Sequence, residues 1–239
     1  MKKNNIFEEY NYKLGDFQPV YDHHHPLSEA EQKIIDDFHG LYFRLNEKKS
    51  GLMLSWMGYQ TGKVPGDLWI YQELLFLMRP DIIIECGTHK GGSALYLSHM
   101  CQLLDHGHVI SIDLYPKENR PSHDKLTYIN GSSTSSEVVE QVHSIVTTNS
   151  KILVILDSDH TREHVLKELT IYSELIPVGG YLIVEDSFLN GHPSHGNFGA
   201  GPTEAIEEFL DKNSNFSIDR SLEKFLFTLN PKGFLKRIS

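Results

Sequence analysis

Residues 80–93 read Pro-Asp-Ile-Ile-Ile-Glu-Cys-Gly-Thr-His-Lys-Gly-Gly-Ser, and this stretch constrains the fold more than any other. A short β-branched run ends in an acid, Glu85, and passes through a glycine-rich turn into Ala94-Leu95-Tyr96-Leu97. The run 82–84 predicts a parallel strand buried on both faces. Gly87, Gly91 and Gly92 let the backbone turn sharply and come close to a ligand. A helix opening at Ser93 would aim its free N–H groups at that turn. The spacing E-x-G-x-x-x-G-x-S departs from the dinucleotide pattern G-x-G-x-x-G. Glu85, at the strand's carboxyl end, suits a cationic or hydroxylated ligand. In isolation, a βα turn of any α/β protein would read the same way.

The rest of the chain repeats the unit. Further strands are expected at 109–113, 126–130, 152–156 and 181–184, with helices at 138–146, 165–175 and 202–210 between and after them. Residues 216–219 and 225–229 read as two closing strands, joined closely enough to be antiparallel. Alternating strands and helices imply a doubly wound, mostly parallel sheet with right-handed crossovers. Ahead of it, residues 1–55 read as an N-terminal extension and 56–239 as the main domain. In the extension, His23-His24-His25 before Pro26 reads as a solvated loop, a metal site being the alternative. Ser28 and Glu31 form a capping box. Ile34, Ile35, Phe38, Leu41, Tyr42 and Leu45 then recur at helical spacing, a stripe for the core or a subunit contact. Residues 56–66 are a Gly- and Pro-rich loop carrying Lys63, placed to close over a ligand or to pack as a lid without touching it. Asp67 is the expected cap of the helix that follows.

Composition narrows the function classes. A formal charge of −10 without a basic stripe argues against nucleic acid or an anionic membrane as partner. No run is long and apolar enough to span a bilayer, and the start has no signal-peptide core. Two cysteines, Cys86 and Cys101, form neither a zinc pattern nor a disulfide framework, so a reducing, cytoplasmic compartment is expected.

Ligands of open α/β sheets bind at the carboxyl ends of the strands. Every expected parallel strand ends in polar or acidic residues there: Glu85, Asp113, Gly131-Ser132-Ser133, Asp157 through His160, and Glu185-Asp186. Asp113 is placed to accept both hydroxyls of a ribose, with a helix cap or surface acid as the alternative. Ser132 and Ser133 could reach an adenine edge, or serve only the turn. Asp157, Glu185 and Asp186 would repel one another unless a hard cation such as Mg²⁺ or a proton intervened. His160, three residues beyond Asp157, could take a proton from a hydroxyl held there; the alternative is a surface histidine.

The stretch 85–93 resembles motif I of the class I S-adenosylmethionine (SAM) methyltransferases. The wider set is more specific: Lys63-x-Pro65-x-Asp67-Leu68-Trp69-x-Tyr71-Gln72-Glu73, Leu156-Asp157-Ser158-x-His160, Tyr181-Leu182-Ile183-Val184-Glu185-Asp186, Gly201-Pro202 with Glu204-Ala205-Ile206, and Asn230-Pro231-x-Gly233. With these the chain resembles the cephalosporin hydroxylase / rhamnosyl O-methyltransferase family. The resemblance implies a seven-stranded Rossmann-like fold with an antiparallel last strand, SAM as methyl donor, and Mg²⁺ on Asp157, Glu185 and Asp186. It implies that Glu85, Gly87, Thr88, Gly91, Ser93, Asp113, Ser132, Ser133, Lys63 and Asp157 line the cofactor, with Asp157 and His160 catalytic. The chain is also similar to catechol O-methyltransferase, where a lysine holds the position of His160. The acceptor implied is a small hydroxylated molecule, and the assembly implied is a homo-oligomer. The family name keeps two alternatives open: an oxygenase of natural-product biosynthesis and a non-catalytic SAM-binding subunit. Gly199-Ala200-Gly201-Pro202 stands where the family more often has Gly-Pro-Gly-Pro, in a loop expected to shape the acceptor pocket.

Overall fold

The structure, a computed structural model, describes residues 26–48, 51–52, 54–147 and 149–239, without the side chains of 47–48 and 51–52. The histidine run at 23–25 lies outside the described residues. The large sheet has seven strands: β1 (Ile82–Cys86), β2 (His108–Asp113), β3 (Leu126–Asn130), β4 (Ile152–Leu156), β5 (Tyr181–Val184), β6 (Phe216–Ile218) and β7 (Phe234–Arg237). Their order is β6-β7-β5-β4-β1-β2-β3. The five from β3 to β5 are parallel, while β7 runs antiparallel to both β5 and β6. The chain builds outward from β1 in one direction and from β4 in the other. The crevice between them is the switch point at which such sheets take ligands.

Among the described residues, six α-helices accompany the sheet: α1 (Glu29–Asn46), α2 (Pro65–Met78), α3 (Gly92–Leu103), α4 (Ser136–Ile145), α5 (Arg162–Tyr172) and α6 (Pro202–Lys212). Alternate strand residues serve opposite faces. Ile84, Ile110, Val154 and Leu182 pack with α4, α5 and α6 through Val142, Leu169 and Ile206. Ile83, Val109, Leu153 and Ile183 pack on the other face with Ile70 and Leu74 of α2 and Leu97 of α3. Gly87 is required by this packing. It sits at φ 104°, and a Cβ there would lie 1.7 Å from the Asp157 carbonyl oxygen.

Two expectations are corrected. The last strand is β7, not 225–229. Residues 225–229 instead wrap back over the body: Phe227 meets His39 and Tyr42 of α1 at ring separations of 4.6 and 4.7 Å, and Leu229 N–H donates to Asp67 at 2.9 Å. Asp67 is therefore a buried clamp on that segment and not a helix cap; Val64 is the cap, with Pro65 opening the helix. The apolar stripe on α1 is divided: Phe38 and Tyr42 pack on Phe227 at 5.0 and 4.7 Å, and the rest of it faces outward. Ile34 and Leu45 are 68% and 63% exposed, while His39 and Phe43 are the buried face. The capping box at Ser28 forms as expected, with Ser28 N–H donating to Glu31 at 2.8 Å.

Candidate active site

The acids at the strand ends converge. Asp157 follows β4, and Glu185 and Asp186 follow β5, its neighbour. Asp186 takes φ 55°, a left-handed turn that Asp tolerates better than most residues, and its N–H donates to Asn230 Oδ1 at 3.1 Å. This turn brings Asp186 Oδ2 to 3.2 Å from His160 Nε2, which lies 3.8 Å from Asp157 Oδ1. One ligand atom each from Asp157, His160 and Asp186 falls within 4.8 Å of the others. All three side chains are partly open, at 20–25% exposure.

Glu185 points elsewhere. It is 1% exposed, and its Oε1 accepts from Tyr71 Oη at 2.6 Å and from Lys63 Nζ at 2.8 Å. Lys63 also donates to Asp157 Oδ2, so it ties the two acids together from beneath. Lys63, expected near the cofactor, is 3% exposed, is the internal counter-ion of these acids and is not among the residues walling the cleft described below. Asn230 Nδ2 donates to Tyr71 Oη at 3.1 Å and completes the chain. Burial raises the proton affinity of Asp157 and Glu185, and Lys63 opposes it. Burial does the same to Asp186, opposed first by His160. For Lys63, burial would strip the proton, but Asp157, Glu185 and Glu85 together outweigh it and hold the ammonium. Three carboxylates facing one lysine leave an excess of negative charge that a divalent cation would offset. Two carboxylates and one imidazole at an open mouth fit such an ion, while Glu185 lies outside that group of ligand atoms and holds Tyr71 and Lys63.

Removing Lys63 should therefore be costly. Lys63→Met leaves the buried Glu185 and the partly open Asp157 without their counter-charge, and the metal-free protein should lose about 3–5 kcal/mol of stability in urea denaturation. An unchanged midpoint would show that protons, not Lys63, neutralise the acids.

On the other side of β4 a cleft of about 440 Å³ opens between the ends of β1, β2, β3 and β4. It is walled by Gly87, Asp113, Leu114, Ser132, Ser133, Asp157, Ser158 and His164, among others. Asp113 accepts from His89 N–H at 2.7 Å, from Tyr115 N–H at 2.8 Å and from Arg120 at 2.8 Å. A carboxylate has about four acceptor positions, so capacity remains for a ligand hydroxyl. Glu85 is fully enclosed beneath the turn. Thr88 donates to Ser111 at 2.7 Å, and Ser111 to Glu85 Oε2 at 2.6 Å. Glu85 Oε1 is buried with no hydrogen-bond partner among the described residues. Burial pushes Glu85 up to about 7, with Lys63 and Ser111 opposing. A buried acceptor left open under a glycine turn fits a ligand that carries an ammonium group. Ser93 is buried in the same turn.

The aromatic residues gathered near Asp186 are not legible as a site from the sequence. Phe43 of α1 stacks on Phe188 at 4.6 Å and meets His195 edge-on at 5.0 Å. His195 also bears on Asp186, whose acidity it raises. The loop after β5 is fastened by Glu204, which accepts from Asn190 at 2.7 Å and from Gly201 N–H at 2.7 Å. Trp56, in the expected lid, packs on Tyr96 at 5.0 Å and donates to His99 at 2.9 Å, so it covers α3 and not the cleft.

The chain is similar to known proteins. Residues 49–238 match the family model for rhamnosyl O-methyltransferase/CmcI. The rhamnosyl O-methyltransferase of Mycobacterium leprae is 39% identical over 189 residues, covering 77% of this chain and 82% of that protein. That of Mycobacterium tuberculosis is 39% identical over 192 residues, 77% of this chain and 78% of its own. Among solved structures, apo CmcI matches with TM-score 0.62 at 18% identity, over 100% of this chain and 97% of that one. CmcI with Mg and SAM gives 0.60 at 18% identity, over 98% and 100%. At that identity the structural likeness speaks for the fold.

Proposed function

The chain belongs to the rhamnosyl O-methyltransferase/CmcI family and is an S-adenosylmethionine-dependent O-methyltransferase, and from that premise we propose that it methylates a hydroxyl of a sugar or similar small molecule, with Mg²⁺ held by Asp157, Asp186 and Glu185. The observation that carries this reading is the convergence of Asp157, His160 and Asp186 at an open mouth beside the cleft. The relatives at 39% identity are named for a rhamnosyl acceptor, which supports a sugar.

SAM, when bound, supplies a methyl group activated by its sulfonium. A divalent cation, when bound, supplies Lewis acidity that makes an acceptor hydroxyl easier to deprotonate. The residues do the rest. Asp113 orients the ribose through its one remaining acceptor position, and Glu85 offers an open acceptor to the methionine end. Lys63 keeps Asp157 and Glu185 fixed and charged from below. His160 takes the hydroxyl proton at Nε2 as the oxygen gains the methyl, contributing as general bases do. The cluster has one histidine and two carboxylates, the reverse of the 2-His-1-carboxylate set of iron oxygenases, which favours methyl transfer over oxygenation. The loop 187–201 and the aromatic face of α1 border the acceptor side. The exposed stripe of α1 is the face on which a homo-oligomer would form.

The test is product formation. The full chain, given SAM, Mg²⁺ and a panel of rhamnosides and other hydroxylated molecules, should release S-adenosylhomocysteine and an acceptor heavier by one methylene. Binding of SAM without methylation of any sugar would overturn the acceptor class. Asp113→Ala should weaken SAM by roughly 1.5–3 kcal/mol, the scale of a hydrogen bond to a charged group. Calorimetry giving equal affinities would remove Asp113 from the cofactor site.

A further inference from the structure

His164, Glu168 and Tyr172 are spaced i, i+4 and i+8 on α5, so they share one face of the helix. All three reach Ser133, in the turn after β3. Glu168 Oε1 accepts from Ser133 Oγ, His164 Nε2 lies 3.1 Å from the same Oγ, and Tyr172 Oη donates to the Ser133 carbonyl at 2.7 Å. The sequence suggests Ser133 as a reader of adenine, but the structure commits its hydroxyl and its carbonyl to the buried Glu168 and Tyr172. Glu168 Oε1 also accepts from Ser158 Oγ at 2.7 Å, in the turn after β4.

These two turns belong to strands that are not neighbours. β1 and β2 stand between β4 and β3. The ladder therefore leaves the ends of β4 and β3 about 14 Å apart, three strand spacings. Yet the two serine hydroxyls meet on a single carboxylate oxygen. Both serines wall the cleft, so Glu168 ties its two sides together from behind. The packing of α5 does not call for a carboxylate here. Val165 and Leu169 already anchor the helix in the core. Enclosing a charge fully, as at Glu168, carries a desolvation cost that an apolar side chain would avoid. Glu168 Oε2 is buried with no hydrogen-bond partner among the described residues, so that cost is only partly offset. Glu168 in turn raises the proton affinity of His164, chiefly through their hydrogen bond and against burial.

We propose that Glu168 sets the span of the cofactor cleft: by holding Ser133 and Ser158 on one oxygen it fixes the distance between the turns after β3 and β4, and with it the affinity for the adenosyl part of SAM. This rests on the reading that SAM occupies this cleft. Glu168 is fully enclosed behind the serines and does not wall the cleft itself, so it is a positioning residue. The acids on the other side of β4 do not depend on it, since Asp157 has Lys63 as its own anchor.

The experiment measures binding of S-adenosylhomocysteine and of Mn²⁺ to the full chain by calorimetry, with the urea midpoint of each variant alongside. Glu168→Ala should weaken S-adenosylhomocysteine by about tenfold, the lower end of what removing an orienting outer partner costs, and leave Mn²⁺ affinity near the wild-type value. Glu168→Gln keeps an acceptor oxygen for both serines and should bind the ligand nearly as tightly as the wild type. Ser158→Ala cuts only the link to the turn after β4. It should weaken the ligand several-fold, and it serves if the Glu168→Ala protein does not fold. A lowered urea midpoint with unchanged ligand affinity would make Glu168 a support of the fold alone and overturn the proposal. Equal losses for S-adenosylhomocysteine and Mn²⁺ would overturn it too, as damage spread over all the strand ends. A wild type that binds no S-adenosylhomocysteine would overturn the placement of the cofactor on which the proposal rests.

Discussion

Treatment with EDTA should abolish methyl transfer, and Mg²⁺ or Mn²⁺ should restore it. The expectation follows from charge and from chemistry. Asp157, Glu185 and Asp186 are crowded at two neighbouring strand ends against one lysine, and burial already pushes all three toward protonation. A divalent ion held by these acids would offset that cost and would supply Lewis acidity and a fixed place for an acceptor oxygen. Oxygen donors with a single imidazole and no cysteine favour Mg²⁺ over Zn²⁺. Asp157→Ala should bring activity below detection and weaken Mn²⁺ binding measured by calorimetry. The fold should survive, since Lys63 keeps Glu185 as a partner at 2.8 Å. Asp186→Asn, at a more open position, is the gentler companion. Full activity in a preparation shown by metal analysis to be free of divalent ions would remove the metal from the mechanism.

His160→Ala should lower kcat by roughly 10²–10⁴-fold, the range for loss of a general base. Its Nε2 lies within reach of both Asp157 and Asp186, so the same atom is placed to ligate an ion or to take a proton. The two roles separate on metal affinity. A base leaves Mn²⁺ and SAM affinities near wild type while kcat falls. A ligand weakens Mn²⁺, and excess metal recovers part of the rate. A loss of only a few-fold with both affinities intact would mean that the proton leaves by another route, with His195 a candidate for assisting it.

The parallel strands are legible in the sequence because a short run rich in β-branched and aromatic residues that ends at an acid, Asn or Gly is a local signal. Residues 126–130, 152–156 and 181–184 are strands to the residue. The closing strand is not legible in this way. Residues 225–229 and 234–237 are both short and mixed, and the choice between them is made by partners distant in sequence. Asp67 and α1 take the first, and β5 takes the second. The division of the α1 stripe between Phe227 and the outside has the same origin, since periodicity marks a face but cannot say how much of it the rest of the molecule covers.

The sequence by itself determined the order of elements, and with it the gathering of Asp113, Asp157, Glu185 and Asp186 at one edge of the sheet. That follows from chain direction, because parallel strands joined by helices must all end on the same side. Only the tertiary structure decided how those acids are shared. Lys63, far away in the chain, enters beneath Asp157 and Glu185, Tyr71 and Asn230 hold Glu185 inward, and Ser133 turns to the buried Glu168. Hydrogen bonds and charge pairs of this kind depend on directions and distances of a few ångströms between residues remote in sequence, and local pattern carries no record of them.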